Sequence, residues 1–123
     1  MHVLIVDDST TMRMILRTHL KKLGFAVTEA GNGREALLCL KAMAKADLVL
    51  VDWNMPVMDG VSFVRAVRAE PSYASLPLMM VTTNTELSQV AEALEAGANE
   101  YIMKPFTGAM IRDKLELLGL LRV

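Results

Sequence analysis

Short apolar segments alternate with longer amphipathic segments along the whole chain. The short segments are residues 2–6, 25–30, 48–51, 76–81 and 101–103. Apolar runs of this length, rich in β-branched residues, are typical of strands. The third of them contains no polar residue, which indicates a strand that is covered on both faces of its sheet.

Between the predicted strands, apolar residues recur at helical spacing. In the first of these segments they are Met12, Ile15, Leu16, His19, Leu20 and Leu23, and Ser9 and Gly24 are suited to begin and end a helix there. Four more helices are predicted by the stripes Ala36, Leu37, Leu40 and Ala44; Val61, Val64 and Val67; Leu87, Val90, Ala91 and Leu94; and Met110, Ile111, Leu115 and Leu118.

Five strand–helix pairs with short connections predict an α/β fold. Parallel strands joined by right-handed helical crossovers form a sheet with helices on both faces. Eight pairs would be needed for a barrel. We therefore expect an open, doubly wound, five-stranded parallel sheet with five helices, in the flavodoxin-like strand order 2-1-3-4-5, as a single domain over residues 1–123.

The composition is that of a globular protein with balanced charge. Of the 123 residues, 53% are hydrophobic and 22% are charged, and 13 basic residues against 14 acidic ones give a net charge of −1. This balance disfavours a surface for nucleic acid or an anionic membrane. The lone Cys39 and the lack of a signal-peptide pattern favour a reducing compartment. We expect a cytoplasmic monomer that binds neither nucleic acid nor membrane.

Side chains that can bind a metal ion or take part in a reaction lie at the carboxyl ends of four predicted strands. In chain order they are Asp7 and Asp8, Asp52, Thr82 and Thr83, and Lys104. Each one alone is commonly a turn residue or a helix cap. In the assumed strand order, however, they converge on one edge, where ligands bind in such sheets. Their joint occurrence therefore predicts a site.

The predicted site carries an excess of negative charge. Two carboxylates about 5 Å apart repel by roughly 3 kcal/mol at an effective dielectric near 20. Three carboxylates and the Lys104 ammonium leave a charge of −2, which a divalent cation would cancel. Oxygen ligands without Cys or His favour Mg²⁺, and a carboxylate beside Mg²⁺, Lys and Thr is suited to accept a phosphoryl group.

These residues bring out a family resemblance that spans the chain. The chain resembles the receiver domain of two-component response regulators and, within that family, the single-domain chemotaxis regulators. The matching segments are Val6-Asp7-Asp8-Ser9, Asp52-Trp53-Asn54-Met55-Pro56, Met58-Asp59-Gly60, Val81-Thr82 and Lys104-Pro105-Phe106-Thr107.

The resemblance implies a role for each acidic residue. Asp52 would accept the phosphoryl group. Asp8 and Asp52 would ligate Mg²⁺ directly, together with the backbone carbonyl of Asn54, and Asp7 would act mostly through water. Asn54 and Asn84 also resemble positions that tune the rate of dephosphorylation.

The resemblance also implies a switch. The Lys104 ammonium and the Thr82 hydroxyl would contact the bound phosphoryl group, and the Lys104–Pro105 peptide bond would be cis. Movement of the Thr82 hydroxyl would let the Tyr101 ring turn inward, so that one new charge biases a two-state element.

The function implied is that of a phosphorylation-switched response regulator. A histidine kinase would supply the phosphoryl group, and the output would come through partner binding, with a flagellar motor switch protein as the leading candidate. The expected binding face is formed by the fourth helix, fifth strand and fifth helix, with Tyr101, Val90, Met103 and Lys114 on it. Apart from its own aspartyl phosphorylation and dephosphorylation, the chain is expected not to be an enzyme.

Other functions stay open at this stage. Within the same class, the chain could be a phosphorelay intermediate or a receiver domain excised from a longer regulator. An aspartate-nucleophile phosphatase would need a second carboxylate two residues after Asp52, where Asn54 stands. A flavin-binding protein would need a phosphate loop after the first strand, where Asp7 and Asp8 would repel the phosphate.

Overall fold

Strands and helices alternate along the chain, as the hydrophobic pattern predicts. The computed structural model describes residues 1–53, 55–83 and 87–121. Its elements are β1 (His2–Val6), α1 (Thr10–Lys22), β2 (Ala26–Ala30), α2 (Gly33–Ala42), β3 (Leu48–Asp52), α3 (Gly60–Ala69), β4 (Leu78–Thr83), α4 (Leu87–Ala96), β5 (Glu100–Lys104) and α5 (Gly108–Leu117). A 3-10 turn, Pro71–Tyr73, lies between α3 and β4.

The five strands form one parallel sheet in the order β2-β1-β3-β4-β5, which confirms the predicted fold class and strand order. One face is covered by α1 and α5, through buried residues such as Leu16 and Ile111. The other face is covered by α2, α3 and α4, through residues such as Leu40, Val64 and Ala93. Both faces of β3 are therefore buried, as its unbroken apolar run predicts. Within the described ranges, no helix is long and apolar enough to cross a membrane.

Helix boundaries follow local capping chemistry. The side chains of Ser9, Asn32, Asp59 and Thr107 each accept a hydrogen bond from the backbone N–H three residues later, which begins α1, α2, α3 and α5. After α1, Gly24 has a φ of 92°, a conformation that glycine adopts without steric cost. Ser9 and Gly24 thus have the roles that the sequence predicts.

The structure corrects some element boundaries. β4 begins at Leu78 rather than at residue 76, because the N–H of Leu76 donates to the Tyr73 carbonyl in the 3-10 turn and Pro77 has no N–H to give. α2 ends at Ala42, so Ala44 does not belong to its apolar stripe. In α4, Leu94 is 41% exposed, because Val90 and Ala93 face the core instead.

Val57, in the loop between β3 and α3, has a strained backbone. Its φ is 69° and the residue is 74% exposed, so little packing offsets the strain. The left-handed region costs a residue with a Cβ about 1–2 kcal/mol, whereas Asn tolerates it. We expect Val57→Asn to raise the free energy of unfolding in urea by about 1 kcal/mol. Val57→Thr, which stays β-branched, is the control; an equal gain there would trace the effect to exposed apolar surface.

Candidate metal-binding site

Three carboxylates meet at the carboxyl edge of the sheet, as the sequence predicts. One oxygen from each of Asp7, Asp8 and Asp52 lies within 4.8 Å of the other two. The neighbouring strands β1 and β3 bring them together, since Val6 pairs with Val51 in the register. Asp7 and Asp52 are buried at 1% and 7% exposure, whereas Asp8 faces solvent.

Lys104 and Thr82 extend the site across the sheet. The Lys104 Nζ lies 3.4 Å from the Asp52 Oδ1, so its side chain reaches from the end of β5 across β4 to β3. Thr82 is buried on β4 directly after Val81, the register partner of Asp52. Its hydroxyl lies 3.4 Å from the Thr83 carbonyl oxygen. The structure therefore places on one edge the predicted catalytic and metal-binding residues that it describes, whereas Tyr101, the predicted switch residue, lies near the start of β5.

Two predictions concern the surroundings of these residues. The Lys104–Pro105 peptide bond is cis, as the family resemblance implies. Asn54, the predicted carbonyl ligand, and Asn84 lie outside the described residues.

The state of Asp7 indicates that the cluster fits a cation. Burial raises the pKa of Asp7, against the hydrogen bond from the Ser9 N–H and the charge of Lys104, which lower it. One oxygen, Oδ1, accepts that bond at 2.8 Å, while the buried Oδ2 has no hydrogen-bond partner among the described residues. A buried oxygen without a partner costs stability. An all-oxygen donor set of this charge fits Mg²⁺, which would satisfy that oxygen directly or through water.

Removing the Asp7 charge is therefore expected to stabilise the metal-free protein. In Asp7→Asn the amide oxygen still accepts from Ser9, and the amide N–H groups can donate to the neighbouring carboxylates. We expect the free energy of unfolding at neutral pH to rise by about 1–2 kcal/mol, measured by urea denaturation without divalent ions.

The pH dependence of stability provides a second measurement of the same effect. Because the folded pKa of Asp7 lies above its unfolded value, the contribution of this residue to stability falls as the pH rises between the two values. The gain in Asp7→Asn should therefore be smallest at acid pH. Asp59→Asn is the matched control, because Asp59 is an exposed N-cap that Asn replaces well. A gain in the control, or none at neutral pH in Asp7→Asn, would contradict this account.

Arg13, which the sequence pattern does not single out, supports the acidic edge from α1. Its Nη1 donates to the Asp7 carbonyl oxygen at 2.6 Å, and its Nε lies 3.2 Å from the Glu29 Oε1 on β2. The one signal in the sequence is the position of Arg13 one turn after the N-cap Ser9. That spacing places the side chain near the end of β1 but does not identify its acceptor.

On the face formed by α4, β5 and α5, the predicted residues differ in their exposure. Tyr101 and Met103 are half-buried, but Val90 is only 7% exposed and offers little surface. The Lys114 Nζ lies 2.8 Å from the Glu100 Oε1 and 4.8 Å from the centroid of the Tyr101 ring. Burial would raise the pKa of Glu100, but the hydrogen bonds from Lys114 and the Tyr101 N–H, with the Lys114 charge, lower it overall. Lys114 thus contacts the predicted switch residue directly.

Comparison with known proteins agrees with the fold. The response regulator receiver domain family matches residues 3–116. Chemotaxis protein CheY1 of Helicobacter pylori is 44% identical over 118 residues, which are 95% of each chain. Chemotaxis protein CheY of Pseudomonas aeruginosa is 44% identical over 117 residues, which are 94% of each chain.

Solved structures of response regulators have the same fold as this chain. The chemotaxis protein CheY4 of Vibrio cholerae has a TM-score of 0.88 at 37% identity, covering 95% of this chain and 97% of that one. A putative two-component response regulator with a GGDEF domain has a TM-score of 0.91 at 34% identity. The match covers 98% of this chain but 50% of that protein, so the same fold also occurs as one part of a longer regulator.

Proposed function

The chain belongs to the response regulator receiver domain family, and on that premise we propose that it is phosphorylated on Asp52 and acts in chemotaxis. As a receiver it is a signalling protein switched by phosphorylation rather than a classical enzyme. The observation that carries the assignment of Asp52 is its position, buried at the sheet edge within reach of Asp7, Asp8 and Lys104. A histidine kinase is the proposed phosphoryl donor.

The proposed chemistry is phosphoryl transfer to the Asp52 carboxylate. A carboxylate oxygen forms a bond to phosphorus as the phosphorus–nitrogen bond of the donor phosphohistidine breaks, and the electron pair stays on the imidazole nitrogen. The Lys104 ammonium lies 3.4 Å from Asp52. It can donate a hydrogen bond to a phosphoryl oxygen and stabilise the negative charge on that oxygen. The Thr82 hydroxyl can donate a hydrogen bond to another.

Asp7, Asp8 and Asp52 would hold Mg²⁺ together with the carbonyl of Asn54. The ion would offset the charge of the carboxylates and of the incoming phosphoryl oxygens. Asp7 and Asp52 lie on the buried side of the site, while Asp8 lies on the exposed side, through which a donor can approach.

The proposed output runs from Thr82 to Tyr101. When Thr82 turns toward the phosphoryl group, the Tyr101 ring gains room to move inward, which changes the face formed by α4, β5 and α5. Because Lys114 lies over that ring, its contact with Tyr101 would change at the same step. The proposed partner is an output protein such as a flagellar motor switch protein, consistent with the chemotaxis proteins that the chain resembles.

Further properties are proposed on the same grounds. Residues 1–123 would act as one receiver domain, monomeric and cytoplasmic, without binding nucleic acid or membrane. A second candidate function is that of a receiver unit in a longer regulator or phosphorelay, which the structural match to half of the GGDEF-domain protein favours. The family match and Asn54, two residues after Asp52, both disfavour an aspartate-nucleophile phosphatase.

One experiment tests the phosphorylation directly. Trp53 is half-buried and follows Asp52 in the chain, so its fluorescence should report events at the site. We expect Mg²⁺ to change the fluorescence and a small phosphodonor to change it further, with one Mg²⁺-dependent phosphoryl adduct in the intact mass. No adduct with either a small donor or a phosphorylated histidine kinase would overturn the proposal.

The proposed partner requires a separate measurement. Binding of a purified flagellar motor switch protein is followed by calorimetry, with and without phosphodonor and Mg²⁺. Tighter binding after phosphorylation supports the chemotaxis role. Equal affinity in both states would contradict it and favour the role within a longer regulator or phosphorelay.

A further inference from the structure

The Arg13 side chain connects three parts of the structure around the end of β1. It donates from Nη1 to the Asp7 carbonyl oxygen at 2.6 Å, from Nε to the Glu29 carboxylate on β2, and from Nη2 to the Thr10 hydroxyl at 3.5 Å. Its side chain is 20% exposed, and the bonds to Asp7 and Glu29 are part-buried, whereas the bond to Thr10 is exposed. The planar guanidinium presents several donors in a fixed geometry, which suits one side chain to several acceptors.

The carbonyl that Arg13 contacts lies in the peptide unit between Asp7 and Asp8. A peptide unit is planar, so fixing its oxygen fixes the orientation of the whole unit up to the Cα of Asp8. The Asp7 side is already held, because its N–H donates to the Ala30 carbonyl and its Oδ1 accepts from the Ser9 N–H. The Asp8 side chain is exposed, so burial in the core does not fix its direction. Its direction toward the cluster therefore depends on that peptide unit.

We propose that Arg13 is a positioning residue for the cation site, which orients the Asp7–Asp8 peptide unit so that the Asp8 carboxylate faces Asp7 and Asp52. This inference rests on the proposed function, because it concerns the same Mg²⁺ site. It adds a residue on α1 that touches neither the cation nor the phosphoryl group. Outer residues that orient metal ligands typically change metal affinity by about 10–100-fold when they are replaced.

A purely electrostatic role would have the opposite sign. A positive charge close to the cluster repels an incoming Mg²⁺, so removing it would tighten binding. Losing the orientation of Asp8 would weaken binding. The direction of the change in Mg²⁺ affinity therefore distinguishes a positioning role from a charge effect.

Arg17 provides a matched control. It lies one turn after Arg13 on α1 and forms an ion pair with the other oxygen of the same Glu29 carboxylate. Arg17→Gln therefore removes the same formal charge and one bond to Glu29, but leaves the bond to the Asp7 carbonyl intact. Glu29→Gln removes the acid that both arginines share.

The test is the Mg²⁺ dissociation constant, from Trp53 fluorescence, with urea denaturation as a check of folding. We expect Arg13→Gln to bind Mg²⁺ about 10-fold more weakly, and Arg17→Gln and Glu29→Gln to stay within about twofold of the wild type. Arg13→Lys keeps the charge but loses the planar fork, so it should also bind more weakly. It replaces Arg13→Gln in the comparison if that variant does not fold.

Each other outcome overturns the inference. Tighter binding in Arg13→Gln would assign Arg13 a charge effect alone. Unchanged binding in the Arg13 variants would mean that Arg13 does not position the Mg²⁺ site. An equal loss in Arg17→Gln or Glu29→Gln would assign the effect to the α1–β2 ion pairs. If the wild type itself binds no Mg²⁺, the proposed cation site fails together with this inference, whereas failure in the variants alone leaves the proposed function standing.

Discussion

Replacing Asp52 by Asn is expected to abolish phosphorylation of the chain. The amide oxygen of Asn is a poor nucleophile, carries no negative charge and is a weaker ligand for Mg²⁺ than a carboxylate. The side chain keeps its size, so the buried position at the end of β3 should still be filled. We expect the rate of labelling with Mg²⁺ and a small phosphodonor, measured by intact mass, to fall by roughly 10³-fold or more.

The control for Asp52→Asn is the same substitution at a second aspartate. Asp59 caps α3 and is exposed, and Asp59→Asn makes the same chemical change outside the acidic cluster. It should be labelled at the rate of the unmodified protein. If Asp52→Asn were labelled just as fast, and peptide mapping placed the adduct on Asp8, the nucleophile would be assigned wrongly although the site itself would stand.

Much of the fold and of the candidate site was predictable because the signals are local in the chain. A short apolar run that ends in Asp or Lys marks both the strand and the chemistry at its carboxyl end, as at Asp52 and Lys104. Once five parallel strands are inferred, topology brings those ends to one edge. Asp7, Asp8 and Asp52 therefore meet as predicted.

The features that the sequence did not predict depend on the geometry of individual contacts in the folded chain. Side-chain direction in the packed protein determines that Arg13 reaches the Asp7 carbonyl and that Lys114 lies over the Tyr101 ring. The start of β4 at Leu78 depends on a competing turn bond from Leu76, which hydrophobicity does not encode. Such features follow from packing geometry rather than from residue type alone.

Among substitutions around the site, replacement of Gly60 at the start of α3 is expected to have the largest effect on stability. A Cβ there would lie 2.5 Å from the backbone carbonyl oxygen of Asp52, 2.8 Å from the Met80 side chain and 3.1 Å from the Trp53 Cα. The nearest of these atoms belongs to the backbone, which cannot move away as a flexible side chain can. The close approach is held by the hydrogen bond from the Gly60 N–H to the Trp53 carbonyl at 3.1 Å.

Gly60→Ala is therefore expected to destabilise the protein although Ala favours helices. In an exposed helix the change would stabilise by about 1 kcal/mol. Here the clash should reverse the sign and lower the free energy of unfolding by about 2–3 kcal/mol, measured by urea denaturation. Gly31→Ala is the control, since a Cβ there meets its nearest atom, the Glu35 Oε2, at 3.5 Å, an ordinary contact.

The same substitution links stability to function. Because the clash is with the carbonyl of Asp52, relief by a backbone shift would displace the proposed nucleophile from Lys104 and from the other carboxylates. Gly60→Ala should therefore lose Mg²⁺ affinity and phosphorylation at temperatures where it is still folded, while Gly31→Ala keeps both. A folded Gly60→Ala protein with the stability and Mg²⁺ affinity of the wild type would mean that the loop between β3 and α3 yields easily. The placement of Asp52 would then have to be maintained by β3 and its neighbouring strands alone.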